Sequence, residues 1–162
     1  MKLIALIGKK GAGKFAQVDD EDFNRLNKHR WHLTPYGYAA TRKRIKYGVH
    51  RTVQMHRMIM QTPRHLDTDH RDGIELNNQK YNLRVCTRKQ NIQNQTIHKN
   101  NTSGYKGVCW NKSIKKWIAG ISPNRKTIHL GCFLDKNEAA FAYNRAAKKY
   151  FGEFAHLNII KE

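Results

Sequence analysis

The sequence predicts an α+β protein assembled from small packed regions, and three observations carry that prediction. Residues 1–50 alternate short apolar and aromatic pieces with Gly and Pro breaks, the texture of a small β-rich region. Residues 51–97 run strand, loop, strand, helix. After a polar, aperiodic linker at 98–103, residues 104–160 read as three alternating strands and one alanine-rich helix, a three-stranded antiparallel sheet packed on that helix.

In the first region, Met1–Gly8, Phe15–Val18, Trp31–Leu33, Tyr36–Thr41 and Tyr47–Arg51 are the strand candidates. Asp20–Leu26 is a short helix whose acidic first turn suits the helix dipole, which explains Asp19, Asp20, Glu21 and Asp22 more simply than a metal cluster does. Gly8-Lys9-Lys10-Gly11-Ala12-Gly13-Lys14 fits most of the phosphate-binding pattern G-x-x-x-x-G-K-[ST]. Phe15 takes the place of the hydroxyl, and the residues after it alternate like a strand. The segment is expected to be a basic hairpin turn, with no nucleotide cofactor.

In the second region, Val53–Met60 is apolar and amphipathic until Pro63 stops it. The polar loop that follows leads into the strand Leu83–Cys86. Thr87 and Gln90 then form a capping box that starts a helix expected to reach from Arg88 to about His98. In the third region, Tyr105–Trp110, Trp117–Ile121 and Ile128–Phe133 are the strands, turned at Asn111–Ser113 and Pro123–Arg125. Trp117, Ala119 and Ile121 fall on one face, so Trp117 is assigned to the core. Asp135 caps a final helix that stops before Gly152.

Charge narrows the partners. Lys and Arg number 31 against 12 Asp and Glu, a net +19 over 162 residues, which points to a polyanion. Hydrophobic residues at 39% support packed cores and argue against disorder throughout. No apolar run approaches the ~20 residues of a membrane span, and no basic amphipathic helix suits an acidic bilayer surface. Cys86, Cys109 and Cys132 form neither a disulfide framework nor a zinc knuckle, so a reducing cytoplasmic setting without structural zinc is expected.

One constellation carries chemistry. Asp69 and His70 end one strand, Asn82-Leu83-Arg84 opens the next, and Asn91 lies early in the following helix. Asp69 and the amide oxygen of Asn91 are hard, sparse oxygen ligands of the kind magnesium accepts. His70, with an ordinary pKa near ~6.5, is suited to take a proton from an attacking water. Asn82 is assigned to pinning the loop that orients His70. Adjacent strand residues point to opposite faces, so Asp69 and His70 share a site only where the strand twists or ends; Arg71-Asp72-Gly73 supplies the ending.

These residues, with His56-Arg57, Asp72-Gly73, Asn77-Asn78, Thr87 and Asn94, resemble the HNH nuclease motif, and most closely the ββα-metal motif of phage-type HNH homing endonucleases. The resemblance implies Asp69 and Asn91 as ligands of Mg2+ or Mn2+, His70 as general base and Asn82 as loop support. The last motif position is Asn in place of His, and the zinc-binding Cys pairs of some relatives are absent. His56, Arg57 and Arg84 are assigned to phosphate or site support.

A second resemblance covers the last region. Gly104-Tyr105-Lys106-Gly107-Val108, Lys116-Trp117-Ile118-Ala119, Leu130-Gly131-Cys132-Phe133, Glu138-Ala139-Ala140, Ala142-Tyr143 and Ala155-His156-Leu157-Asn158 are similar to the ethylene-response-factor (apetala-type) DNA-binding domain. That domain lays its sheet in the major groove. The arginines with which plant members read bases are missing, so base specificity does not carry over. Lys106, Trp110, Lys112, Lys115, Lys116, Arg125, Lys126 and His129 are left as the candidate nucleic-acid surface.

The expectation is a magnesium-dependent endonuclease, monomer or homodimer with no obligate protein partner, cleaving or nicking double-stranded DNA in a bacterial or phage-infected cytoplasm, with nicking favoured for a single centre. A non-catalytic DNA-binding regulator is the first alternative. A single-strand RNA binder is the second, disfavoured because most aromatics fall at core-phase positions rather than on an exposed sheet face.

Overall fold

In the computed structural model, which describes residues 1–97 and 100–160, the Gly8–Lys14 segment is a turn between antiparallel strands β1 (Lys2–Ala5) and β2 (Phe15–Val18). Its amides bond within the turn, Gly11 N–H and Ala12 N–H both to Gly8 O at 2.9 Å. A Cβ on Gly11 would stand 2.6 Å from the Ile7 carbonyl, which explains a glycine there. α1 (Asp20–Leu26) follows with its acidic first turn.

β3 (His32–Leu33), β4 (Ala39–Lys46) and β5 (Val49–Gln54) form a three-stranded sheet in that order. The two pieces read separately as Tyr36–Thr41 and Tyr47–Arg51 are arms of one long hairpin, reversed at Tyr47-Gly48 with Gly48 at φ +71°. β5 passes directly into α2 (Met55–Met60), so the apolar run from Val53 changes from strand to helix partway. β6 (Asp67–His70) and β7 (Leu83–Cys86) pair antiparallel, and α3 (Arg88–Asn94) leaves from them. The capping box forms in both directions: Thr87 N–H donates to Gln90 Oε1 at 2.9 Å, and Gln90 N–H to Thr87 Oγ1 at 3.3 Å.

α3 ends earlier than its polar sequence indicated, and the expected terminus at His98 lies outside the described residues. The Lys106 ammonium donates to Gln93 O at 2.7 Å and Gln95 O at 2.6 Å, satisfying carbonyls that a longer helix would have used itself.

The chain divides into two units, Met1–Asn91 and Ile92–Glu162. The core of the first draws on nearly every element: Ile4, Val18, Leu26, Trp31, Met55, Ile59 and Leu83 are buried together. Trp31 is 1% exposed, and its Nε1–H is satisfied by Leu26 O at 2.8 Å.

In the second unit, β8 (Val108–Asn111), β9 (Lys116–Ile121) and β10 (Ile128–Phe133) make an antiparallel sheet ordered β10-β9-β8. α4 (Lys136–Phe151) lies against it through Ala139, Ala140, Ala142 and Tyr143. β8 starts later than expected because Gly107, at φ +72°, is a turn residue; a Cβ there would meet the Tyr143 ring at 2.1 Å. Asp135 caps α4 by accepting from Asn137 N–H. Asn158 ties the segment after α4 back to the sheet, bonding Lys106 N–H at 2.7 Å. Within the stretch expected to be a linker, Asn101 and Ser103 hydrogen-bond into the turn before β8. Among the described residues no helix is long and apolar enough to cross a membrane.

Candidate active site

β6 ends at His70 because a tight turn begins there. Gly73 sits at φ +72° and its N–H returns to His70 O at 3.1 Å, while Asp72 Oδ1 accepts Ile74 N–H at 2.8 Å. Asn82, 2% exposed, spans the base of the loop that follows. Its Nδ2 donates to Asp72 Oδ1 and to Asn77 O, both at 2.9 Å, and its Oδ1 accepts Asp72 N–H at 3.1 Å. The loop is also tied to the N-terminal hairpin. Gln17 N–H donates to Leu76 O and Asn78 N–H to Gln17 O, each at 2.8 Å. Asp19, which makes no side-chain cap on α1, instead takes Lys80 N–H at 2.7 Å and Gln79 Nε2 at 3.1 Å.

His70 is 5% exposed and lies in a cluster of three rings. Its centroid is 5.0 Å from that of His56, nearly perpendicular, and 5.9 Å from that of Tyr38, stacked; Tyr38 and His56 are 5.0 Å apart. Burial pulls the His70 imidazole below its ordinary pKa against the opposing pull of the Asn78 amide and the Asp72, Asp69 and Glu75 carboxylates. Its neutral form therefore prevails at neutral pH. His56 is pulled down to about 3, by burial first and then by repulsion from His70 and Arg57. Burial and the carboxylates of Glu75, Asp69 and Asp67 push the Tyr38 phenol up, keeping its proton on.

The His56 shift makes a stability prediction with a definite sign. Between pH 6.5 and about 3 the unfolded chain binds a proton that the folded site refuses. Stability therefore falls as pH drops through that window, by roughly 1.4 kcal/mol for each unit of separation fully traversed. Urea midpoints from pH 7 to pH 4 are expected to decline in the native protein and to decline less steeply in His56→Gln.

The carboxylate side of the strand is arranged differently. Asp69 faces Arg84, its cross-strand partner, with Nε at 2.8 Å and Nη2 at 2.6 Å from Oδ2; both residues are 6% exposed. Asn91 Nδ2 donates to Asp67 Oδ2 at 3.0 Å, with Arg88 at 3.3 Å from the same oxygen. Burial raises the Asp67 carboxyl, but these two donors outweigh it and its pKa ends lowered. Asp67 and Asp69, two residues apart, lie on the same side of the strand. Oxygen donors thus gather there, while among the described residues no group of three His, Cys, Asp or Glu side chains could hold a metal.

Several sequence-assigned residues sit elsewhere than expected. Asn91 is bonded to Asp67, a residue the sequence reading passed over although the D-x-D spacing placed it beside Asp69. Arg84 is buried on Asp69 and His56 is buried against His70, positions that suit support of the site and not a direct phosphate contact. The Arg57 guanidinium bonds the carbonyls of Leu66, Thr62 and Pro63 in its own loop. Tyr38 carried no sequence signal; only tertiary packing brings it to His70.

In the second unit Lys106 caps α3 instead of facing solvent, and burial lowers its ammonium to about 8. Trp110 pairs across the strands with Trp117, ring centroids 5.1 Å apart, and remains exposed at the rim of the sheet, at 42%. Trp117 packs on the core as expected. Lys112, Lys115 and Lys116 remain exposed around the β8–β9 turn, and Arg125 and Lys126 around the β9–β10 turn. His129 is exposed on β10, with Nε2 3.6 Å from Cys132 Sγ.

No family model matches the chain, and no solved structure matches it significantly. Among curated proteins, it is 32% identical over 155 residues to an uncharacterized HNH endonuclease of Acanthamoeba polyphaga mimivirus, covering 96% of this chain and 80% of that protein. It is 34% identical over 89 residues to protein 3.8 of Escherichia phage T7, covering 55% of this chain and 73% of that one. It is 36% identical over 88 residues to the dehydration-responsive element-binding protein 2D of Arabidopsis thaliana, covering 53% of this chain and 42% of the plant protein.

Proposed function

The chain belongs to the HNH endonuclease family, and from that premise we propose that it hydrolyses phosphodiester bonds of double-stranded DNA with a divalent cation, Mg2+ or Mn2+. The observation that carries the reading is His70. A buried imidazole held neutral by its surroundings, fixed at a strand end by two rings and a pinned loop, is equipped to accept a proton at neutral pH. His70 takes the proton from a water as that water's oxygen bonds to phosphorus and the bond to the departing sugar oxygen breaks. Asn82 holds the loop that follows His70, and the rings of His56 and Tyr38 fix the plane of the imidazole.

The residues the motif offers a hard cation are oxygen donors: Asp69, whose Oδ2 is bonded to Arg84, and Asn91, whose Nδ2 is bonded to Asp67, would hold it through their remaining oxygens. When bound, the ion offsets the charge that grows on the phosphate and the departing oxygen. One such centre serves one strand, so a monomer would give a nick, and a double-strand break would need pairing or reorientation.

The second unit is read as the DNA-holding part, in keeping with its resemblance to the ethylene-response-factor domain and with the plant relative. Its contacts are the exposed turn cations Lys112, Lys115, Lys116, Arg125 and Lys126. That same relative gives the regulator reading its support. Supercoiled plasmid is the arbiter: with magnesium it is expected to convert to nicked circle, and with chelator to stay supercoiled while still bound. Plasmid that is bound but never nicked, with magnesium or manganese, would favour the regulator.

A further inference from the structure

The hairpin of β4 and β5 has a charge distribution that the nuclease centre does not use. Between Asp22 and Asp67 the sequence contains no acidic residue. The hairpin rises from the middle of that stretch with Arg42, Lys43, Arg44, Lys46 and Arg51, all exposed. Among the described residues no carboxylate pairs with any of them. The register sets Lys43 directly opposite Arg51, a like-charge pair that weakens the ribbon. Arg42 and Arg44, with His50 opposite Arg44, occupy the other face. Only the base is buried, at Ala39, Ala40 and Thr41. The tip exposes Ile45 at a bulge and Tyr47 at 91%.

On the Lys43 and Arg51 side a groove of about 640 Å³ opens, walled also by Val53, Met58, Arg57 and Arg64 and containing no carboxylate. Arg57 is engaged with its own loop, which leaves Lys43, Arg51 and Arg64 as the cations turned to an incoming anion. Both strands are continuous with the candidate site: Tyr38 immediately precedes β4, and His56 lies two residues beyond β5.

We propose that this hairpin is an arm that lies in a groove of duplex DNA beside the cleaved bond, with Lys43, Arg51 and Arg64 on backbone phosphates. The inference rests on the nuclease reading above for its substrate, and it adds a second contact surface within the first unit. A flat polyanion such as an acidic bilayer meets one face of a ribbon. Cations on both faces match a polyanion that encloses it, and the major groove admits a two-stranded ribbon with phosphates along either side. From Ala40 to Lys46 the arm reaches about 20 Å at ~3.3 Å per residue, roughly six base-pair steps at ~3.4 Å each.

The test measures binding of the full chain to a labelled random-sequence duplex, in chelator so that nothing is cut, over a range of salt. The Lys43→Gln, Arg51→Gln double variant is expected to bind at least about tenfold more weakly. Its slope of log affinity against log salt should be shallower by about two, since each phosphate contact contributes about 0.9. Arg51→Glu, which puts an acid opposite Lys43, is expected to lose affinity while its melting temperature holds or rises. That combination separates a binding role from a structural one. Unchanged affinity and slope in the double variant would overturn the arm, as would tighter binding to duplex RNA of the same sequence. If the native chain never nicks plasmid yet both variants lose affinity as described, the nuclease reading fails and the arm stands. A native slope in a variant of a nicking protein is the reverse case.

Discussion

His70→Ala is expected to slow nicking by roughly 10²–10⁴-fold, the range that a positioned general base supplies, with DNA affinity essentially preserved. The two effects separate because the imidazole is 5% exposed and enclosed by His56 and Tyr38, so it offers little surface to a duplex. Removing it also opens a cavity between those rings. His70→Gln is therefore the companion variant, filling much of the volume with a side chain that cannot accept a proton at neutral pH. Rates of plasmid nicking and gel-shift affinities, measured on both variants, check the expectation. A folded His70→Gln protein that nicks at the native rate would remove the imidazole from the mechanism.

Asn82→Ala is expected to damage fold and rate together. Three hydrogen bonds disappear at once, leaving Asp72 N–H, Asp72 Oδ1 and Asn77 O without that partner. Stranded polar groups cost roughly 1–3 kcal/mol each when buried, and Asp72 is exposed, so the loss of stability is on the order of 2–4 kcal/mol. With the loop after β6 released, His70 loses its fixed position and nicking falls by at least about tenfold. Asn82→Asp sharpens the argument. It keeps the shape but turns a carboxylate toward the oxygen of Asp72 that Nδ2 now reaches at 2.9 Å, so it should be no better tolerated than alanine. Urea unfolding beside nicking rates reads both effects, and a stable, active Asn82→Asp protein would show that the amide is not holding the loop.

Much of the architecture could be read from local chemistry. The capping box at Thr87 and Gln90, the Asp135 cap and the alternation of Trp117, Ala119 and Ile121 each depend on neighbours a few residues away, and each appears where the pattern put it. The hairpin turn at Gly8–Lys14 likewise follows from Phe15 and the alternation after it. What was less legible depends on distant partners. α3 stops at Asn94 because a lysine a dozen residues later caps it. Trp110 edges onto Trp117 because the register sets the two opposite each other. Arg84 reads as a surface cation until the register sets it against Asp69. Tyr38 comes to His70 across many intervening residues, and no spacing rule announces such a contact. The grouping of Asp69, His70, Asn82 and Asn91 was visible as a motif; that Asn91 would meet Asp67 was not.

The ties from Gln17 and Asp19 to the loop between β6 and β7 bear on how this chain could be engineered. A fragment trimmed to begin at the first motif residues would lack the clasp that seats that loop, and grafting only the motif onto another binder would inherit the same defect. A transplanted piece would have to keep the opening hairpin, which splints the loop between β6 and β7, and the whole of α3 to Asn94.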